Sequence, residues 1–539
     1  MTVVHPSDYT VHYQGPYQDM LKPLTMTDVF DAAVRQHPDA VAVFSEEGAM
    51  TWRDWQEEAE ALAQGLANEG VRPGDVVGVY LPNSREFLVS HVALSYLGAV
   101  MLPLHLAHGQ REVEALLSRS GARALILPRA HRRYDLADWG RILREAVPSL
   151  EIAVWAGDAP AGEIALNDLL NRYRGQAWPR FPVKPSDPFL LCASSGTTAT
   201  RPKICMHTHQ GLLSNAWQTA VDGKSRATDV MLSASPFSHA FGFLSIHVSI
   251  LLAHPQVLLP HWDVATCRRL LETRGVTVLF LVPAQVMDLL HAVKEEPLHG
   301  HALREIRTGG AAVPREVVTQ IRQHLQAKTI VQWGMSEVGA GCYTDPDDDP
   351  DVVSQTIGRP VSGAEVMIVG HDGQRLGPGQ VGQLCYRSPY MFRGYYGDGE
   401  LTRQAVNQEG WLLTGDLAEM NPDGTISYRG RMTETINRGG LKFSALEVES
   451  LLTDMPSLRQ AAIMARPDER LGERAVLVAA LRAGHHVTLE AIREHLLAKG
   501  LAKYKCPEDL IVVDELPTTP TGKIARGRLK EVLEVHQRS

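Results

Sequence analysis

Cys192-Ala-Ser-Ser-Gly-Thr-Thr-Ala-Thr-Arg-Pro-Lys203 follows the apolar run 188–191 and precedes a helix-like stretch that starts near Gly211. Read outward from this stretch, the chain places a loop of small hydroxylated residues between a strand and a helix. Backbone N–H and side-chain O–H groups around Gly196 can meet phosphate oxygens, and Arg201 and Lys203 add positive charge. The spacing G-x-x-x-x-G-K-[ST] is absent, so the loop is not the phosphate loop of nucleoside triphosphatases. Such a loop alone decides nothing; its surroundings do.

Upstream, apolar runs at 76–81, 100–104 and 124–127 alternate with helical patterns at 87–97 and 110–119, after a helix-like region over 26–70. The rhythm resumes at 188–193, 211–220, 230–234, 276–282 and 329–331. Uniformly apolar strands between amphipathic helices predict stacked α/β layers with buried parallel strands. Beyond about residue 350 the texture changes. The acidic run 345–351 reads as a solvated loop, and short strands near 364–369, 381–386 and 411–419 predict an antiparallel, β-rich subdomain.

With 539 residues, 44% of them hydrophobic and 21% charged, the chain has the composition of a globular protein with more than one core. The net charge of −9 gives no general attraction to nucleic acid or membrane surfaces. The six cysteines form no CxxC pair, which argues against a zinc knuckle and fits a reducing compartment. The start carries no basic segment followed by an apolar one, so no signal peptide is predicted. The most apolar stretch, 244–260, is interrupted by His247, His254 and Pro255 and reads as buried strand and helix. The expectation is a cytoplasmic protein without a membrane span.

Four further motifs stand in order after the loop: Gln332-Trp-Gly-Met-Ser-Glu337, Thr414-Gly-Asp416, Tyr428-Arg-Gly-Arg431 and Pro517-Thr-Thr-Pro-Thr-Gly-Lys523. Together, from about residue 25 to 530, they resemble the adenylate-forming superfamily of acyl-CoA synthetases, firefly luciferase and nonribosomal-peptide adenylation domains, with acyl-CoA ligases most similar. The resemblance implies a large adenylate-binding lobe over 1–430 and a small mobile α+β lobe over 431–539. It also implies a two-step reaction. A carboxylate attacks the α-phosphate of ATP to give acyl-AMP and pyrophosphate, and a thiol, usually that of CoA, then takes the acyl group. A carboxylate and a triphosphate repel, so such a site must supply positive charge and in-line positioning.

The resemblance also implies roles. Ser194, Ser195, Gly196, Thr197, Thr198 and Lys203 would hold the β- and γ-phosphates. Gly310, Ala311 and Ala312 would line the adenine site, with Trp333, Gly334 and Met335 beside it and the Trp333 indole against the base. Ser336 would stand near the α-phosphate and Glu337 would hold Mg²⁺. Asp416 would accept the ribose hydroxyls, Tyr428 would lie at the nucleoside, and Arg431 at the ribose or phosphate. Lys523 would neutralise charge that develops during adenylation. In Pro236-Phe-Ser-His239-Ala-Phe-Gly-Phe243, His239 would meet the acyl carboxylate, with Phe237, Phe241, Gly242 and Phe243 shaping its pocket. Gly439, Gly440 and Lys442 would line the thiol tunnel after the small lobe swings about a hinge at Thr433, where the family usually has Asp or Lys. His207 and His209 have the spacing of a metal pair, but the family has a Thr-His there without metal.

The loop departs from the family pattern. Ala199 replaces a glycine, one extra residue precedes Pro202, and Ile204 follows Lys203 where the family has Gly. Ala does not readily take the positive φ that Gly allows, and β-branched Ile narrows the space beside the phosphates. An alternative reading is therefore an enzyme that only transfers the acyl group of a supplied acyl-adenylate. A nonribosomal adenylation domain lacks support, because no Asp stands near 237–239 to pair with an α-amino group. A luciferase-like oxidative enzyme and a non-catalytic binding homologue are further alternatives. The expected substrate is an apolar carboxylic acid, bulky or aromatic acids included. The thiol is that of CoA or of a carrier protein, and the oligomeric state, a dimer included, stays open.

Overall fold

Strands without a polar face need cover on both sides, and the chain provides it by stacking two sheets around buried helices. The computed structural model describes residues 11–131, 134–193, 202–311, 313–438, 441–468, 470–519 and 523–538. Among these, a nine-stranded sheet runs in the order Arg359–Pro360, Gly339–Tyr343, Lys328–Met335, Glu305–Gly309, Val278–Leu281, Met231–Ser233, Gln256–Val257, Val41–Ser45 and Gly48–Thr51. A seven-stranded sheet orders Ile204–Thr208, Pro188–Ala193, Val100–Pro103, Val76–Val79, Ala124–Pro128, Ile152–Ala156 and Ile164–Ala165. Their central strands are parallel; antiparallel strands close both edges of the larger sheet and one edge of the smaller, whose other edge, Ile164–Ala165, pairs parallel.

Helix Ala240–Leu252 explains the most apolar stretch of the sequence. It sits between the sheets, with Phe243, Ile246 and Ile250 in one cluster and Leu244 and Val248 in another. A helix wetted on no side has no reason to be amphipathic. Each of these side chains contributes roughly 1.5–3 kcal/mol by burial, so one carboxylate on this helix would be very costly. Helix Arg85–Leu97 lies against it, joined by a 3.2 Å contact between the Nε2 atoms of His91 and His247.

The β-rich subdomain is a four-stranded meander of Glu365–Val369, Val381–Arg387, Leu412–Met420 and Ile426–Arg431. The small lobe has its own sheet, Leu441–Ser444, Thr435–Arg438, Gly472–Leu481 and Leu458–Asp468, with Asp509–Val513 added in parallel. Helices Leu489–Ala498 and Arg526–Arg538 complete it. Only the turn Met432–Glu434 separates the two sheets. The division placed at 430/431 from sequence therefore falls inside the last strand of the meander, where Arg431 is paired with Asp416. The acidic run is not simply solvated: Lys224 pairs with Asp345 and Asp347, and Lys328 with Asp347.

All six cysteines are buried and free. Burial pushes the Cys192 and Cys267 thiols up to about 12 and Cys385 to about 11. No helix among the described residues is long and apolar enough to cross a membrane.

Candidate active site

The meander contributes the first anchor. Asp416 and Arg431 face each other across adjacent strands, with Arg431 Nε 2.9 Å from Asp416 Oδ1. The Trp333 indole N–H donates to Asp416 Oδ2 at 2.9 Å, reaching from the nine-stranded sheet to the meander. Burial pushes the Asp416 pKa up, and Arg431 and Trp333 oppose it. Arg431 meets Oδ1 as a charge pair out of hydrogen-bond alignment, so that buried oxygen accepts no aligned hydrogen bond among the described residues. A buried carboxylate oxygen in that state suits a hydroxyl donor. Tyr428 shares a side-chain hydrogen bond with Arg431, and burial raises its phenol pKa.

The second anchor comes from the small lobe. Lys523 extends into the cleft against Gly310, which has φ +86°. A Cβ on Gly310 would lie 2.8 Å from Lys523 Cε and 3.4 Å from Nζ, so only glycine admits both this backbone and this approach. The residue stays open to solvent while its ammonium end is crowded by the cleft walls. That crowding and the Arg431 charge pull its pKa down, and Asp416 pulls it up.

His239 caps helix Ala240–Leu252, its Nδ1 accepting the Phe241 N–H at 3.3 Å. Burial, then the Lys523 charge, hold its pKa at about 4, so it is neutral near pH 7. Its ring lies 6.0 Å from that of His105, and His105 Nδ1 is 2.9 Å from Ser238 Oγ. Phe241 packs on Phe280 at 5.2 Å. The other pocket residues read from the sequence have packing reasons. Phe237 lies in the core against Phe87, with Phe243 on the same ring, and a Cβ on Gly242 would stand 2.1 Å from the Pro236 carbonyl oxygen.

At the root of the hydroxyl-rich loop, Glu337 is buried and its Oε1 accepts the Tyr395 O–H at 2.7 Å. Lys203 Nζ lies 5.6 Å from the centre of the Tyr395 ring. Ser336 faces Ala193: its hydroxyl donates to the Ala193 carbonyl at 3.5 Å, and its own carbonyl meets His207 Nε2 at 2.7 Å. His209 Nδ1 accepts the Met26 N–H, and its ring stacks on Phe189 at 4.3 Å. The two histidines thus serve separate backbone partners instead of converging. Ser194, Ser195, Gly196, Thr197, Thr198, Ala199, Ala312, Gly439, Gly440 and the Lys442 side chain lie outside the described residues.

Sequence reasoning missed Tyr395, His105, Ser238 and the use of the Trp333 N–H. Tyr395 had one signal: it lies in Arg393-Gly-Tyr-Tyr-Gly397, a segment that runs antiparallel beside the strand after the loop. Thr433 is exposed in the turn between the lobes, and Gly430, with φ +106°, leaves room for Ser444 of the small lobe. A groove of about 1530 Å³ opens at this junction, lined by Leu417, Tyr428 and Arg429 on one side and by Met432, Thr435 and Leu446 on the other.

A sequence model of the AMP-binding enzyme family matches residues 30–396, and one of the AMP-binding enzyme C-terminal domain matches 447–523. The chain belongs to this adenylate-forming family. It is similar to a salicylyl-CoA synthase / salicylate adenylyltransferase of Streptomyces sp., at 33% identity over 92% of this chain and 91% of that protein. It is 30% identical to a salicyl-AMP ligase / salicyl-S-ArCP synthetase of Mycobacterium tuberculosis, over 95% of this chain and 91% of that one. A crystal structure of the anthranilate CoA ligase AuaEII in complex with anthranoyl-AMP has the same fold, with a TM-score of 0.86 and 23% identity over 99% of this chain and all of that one. Within this fold Asp416 and Arg431 lie on the meander, Trp333 on the nine-stranded sheet, and Lys523, before helix Arg526–Arg538, approaches Gly310 at the end of strand Glu305–Gly309.

Proposed function

We propose that the chain is an acyl-CoA ligase that activates an apolar carboxylic acid, aromatic or bulky, as its acyl-adenylate and transfers the acyl group to CoA. The observation that carries this reading is the meeting of Lys523 with Gly310, beside the Asp416–Arg431–Trp333 cluster. Such an arrangement grips a ribose on one wall and sets a cation against the other.

In the first step Asp416 accepts the ribose hydroxyls through the oxygen left without an aligned donor, and Arg431 faces the α-phosphate. His239, neutral near pH 7, donates from Nε2–H to the acid's carboxylate without adding charge that would pull it from phosphorus. Lys523 Nζ then balances the charge that builds up as the carboxylate oxygen–phosphorus bond forms and pyrophosphate leaves. Preorganised charge of this kind is worth roughly 2.7–4 kcal/mol per group. Glu337, a hard carboxylate bonded to the Tyr395 whose ring lies near Lys203, would hold Mg²⁺, and the ion would offset triphosphate charge. In the second step the small lobe swings about 432–434 and withdraws Lys523. The thiolate then attacks the acyl carbon and AMP leaves. A carrier-protein thiol is the second reading, favoured by the name of the mycobacterial relative.

The test is a panel of carboxylic acids with ATP and CoA, read by pyrophosphate release and thioester formation, and repeated with preformed acyl-adenylates. Thioester from acid and ATP supports the full reaction. Thioester from adenylate alone, with no ATP–pyrophosphate exchange, supports the transfer-only alternative set by the altered loop. No thioester in either arm refutes the proposal.

A further inference from the structure

Beneath helix Ala240–Leu252, one face of the nine-stranded sheet runs inward from the active-site cleft. Register pairs Phe280 with Arg307, Arg307 with Ile330, and Gly309 with Gln332, so these positions share a face. The Phe241–Phe280 contact sets the first turn of the helix on that face, and His239 at its cap marks the mouth near Lys523. On the ligase reading, an acid whose carboxyl lies at His239 would direct the rest of its skeleton towards this helix and this face.

Phe280, Ile330 and Phe241 suit a hydrocarbon, but Gln332 does not. It is 7% exposed, and its buried Oε1 has no hydrogen-bond partner among the described residues. A buried polar group in that state costs roughly 1–3 kcal/mol, and native proteins keep few of them. Its neighbour in register is Gly309, where a Cβ would stand 2.2 Å from the Gln332 carbonyl oxygen and 3.6 Å from its Cβ, so no side chain from that position covers Gln332.

Arg307, one step deeper, is not an open cation. Its Nε is 2.6 Å from Glu305 Oε1, and its Nη2, though without a partner among the described residues, lies against Gly223, which caps helix His209–Asp222, 2.3 Å from where a Cβ would be. The wall therefore offers an acidic tail no uncompensated charge, and it offers a neutral polar group one amide.

We infer that the acid substrate bears an uncharged hydroxyl or amino substituent that hydrogen-bonds the Gln332 amide, and is not a plain hydrocarbon acid. The amide both donates and accepts, so either substituent is matched. This inference rests on the ligase reading and adds the substrate's substituent to it. A site built to hydrogen-bond a substrate group discriminates strongly against the analogue lacking it, because the protein group is then left unpaired.

The test measures kcat/KM by ATP–pyrophosphate exchange for matched acids. These are benzoate against its hydroxy and amino isomers, 1-naphthoate against its hydroxy isomers, and hexanoate against hydroxyhexanoates. We expect the best substituted acid to exceed its parent by roughly tenfold or more in the unaltered enzyme. Gln332→Leu, and Gln332→Met as a second variant should the first fold poorly, should bring that ratio to about one or below, whatever the change in turnover of the parent acid. Parents equal to or better than every substituted partner would overturn the inference, as would a preference that survives both variants. Turnover indifferent to the substituent sinks this inference alone; no exchange with any acid, and no binding of a non-hydrolysable acyl-sulfamoyl adenosine, sinks the ligase reading beneath it.

Discussion

Replacing Trp333 by Phe isolates the link between the nine-stranded sheet and the meander. Phenylalanine keeps an aromatic face and most of the buried area, so the change is chiefly the loss of one N–H from the 2.9 Å bond to Asp416 Oδ2. Asp416 is 2% exposed, and no water can readily take that place. A hydrogen bond to a charged group is worth about 1.5–3 kcal/mol, which converts to an ATP affinity weaker by roughly 10- to 150-fold. The pH profile moves with it. Burial already raises the Asp416 pKa and Trp333 helps hold it down, so its loss raises it further. With the proposed ribose contact made by the ionised carboxylate, affinity should fall as pH drops through the folded-state pKa, and the acid limb of kcat/KM for ATP should shift to higher pH in the variant. Isothermal calorimetry with AMP and a pH series of initial rates would read both effects, with a thermal melt to check the fold. A Trp333→Phe enzyme within twofold of the parent in AMP affinity, with an unmoved acid limb, would refute the reasoning.

Lys523→Gln should lower ATP-dependent adenylation by roughly a hundredfold to a thousandfold while sparing thioester formation from preformed adenylate, and a parallel fall in both half-reactions would contradict the assigned role. Gly310→Ala combines φ +86° with a Cβ 2.8 Å from Lys523 Cε; backbone strain alone costs about 1–2 kcal/mol, so kcat for adenylation should fall about tenfold or more, and an unchanged rate would count against the observed approach. Buried histidines set an acid limit: His207 and His239 are held at about 4 and His209 and His247 at about 3, all below the unfolded value. Their support of the fold is complete above about pH 6.5 and is lost as pH falls towards these folded values, at up to about 1.4 kcal/mol per pH unit for each histidine. Urea midpoints should therefore drop between pH 7 and 5, and a flat series would exclude this account.

The layered architecture was legible because parallel strands covered on both faces print continuous apolar runs, and 76–81, 100–104 and 124–127 did so. The strands at 365–369, 381–387 and 412–420 were legible for another reason: turn residues bracket each of them. Helix Ala240–Leu252 was not assigned to a face because it has none; both sides are core. Motif order located Asp416, Arg431, Gly310 and Lys523, and the fold draws these four together. It could not tell that Trp333 and Asp416 are hydrogen-bonded across 83 positions, or that Glu337 meets Tyr395 across 58, because periodicity reports only neighbours a turn or a pleat away. Phe237 and Gly242 also have steric reasons that a line of text does not show: one fills a gap beside Phe87 and the other clears a carbonyl.

The sequestered cysteines bear on the partner chosen for the acyl group. A catalyst that admits a reduced pantetheine arm invites it to swap sulfur with any accessible thiolate, and each such event would leave the arm tethered to protein. Here every sulfhydryl lies under side chains. In the proposed transfer an incoming thiol would meet no exposed sulfhydryl of this chain, and oxidative episodes would find nothing to couple.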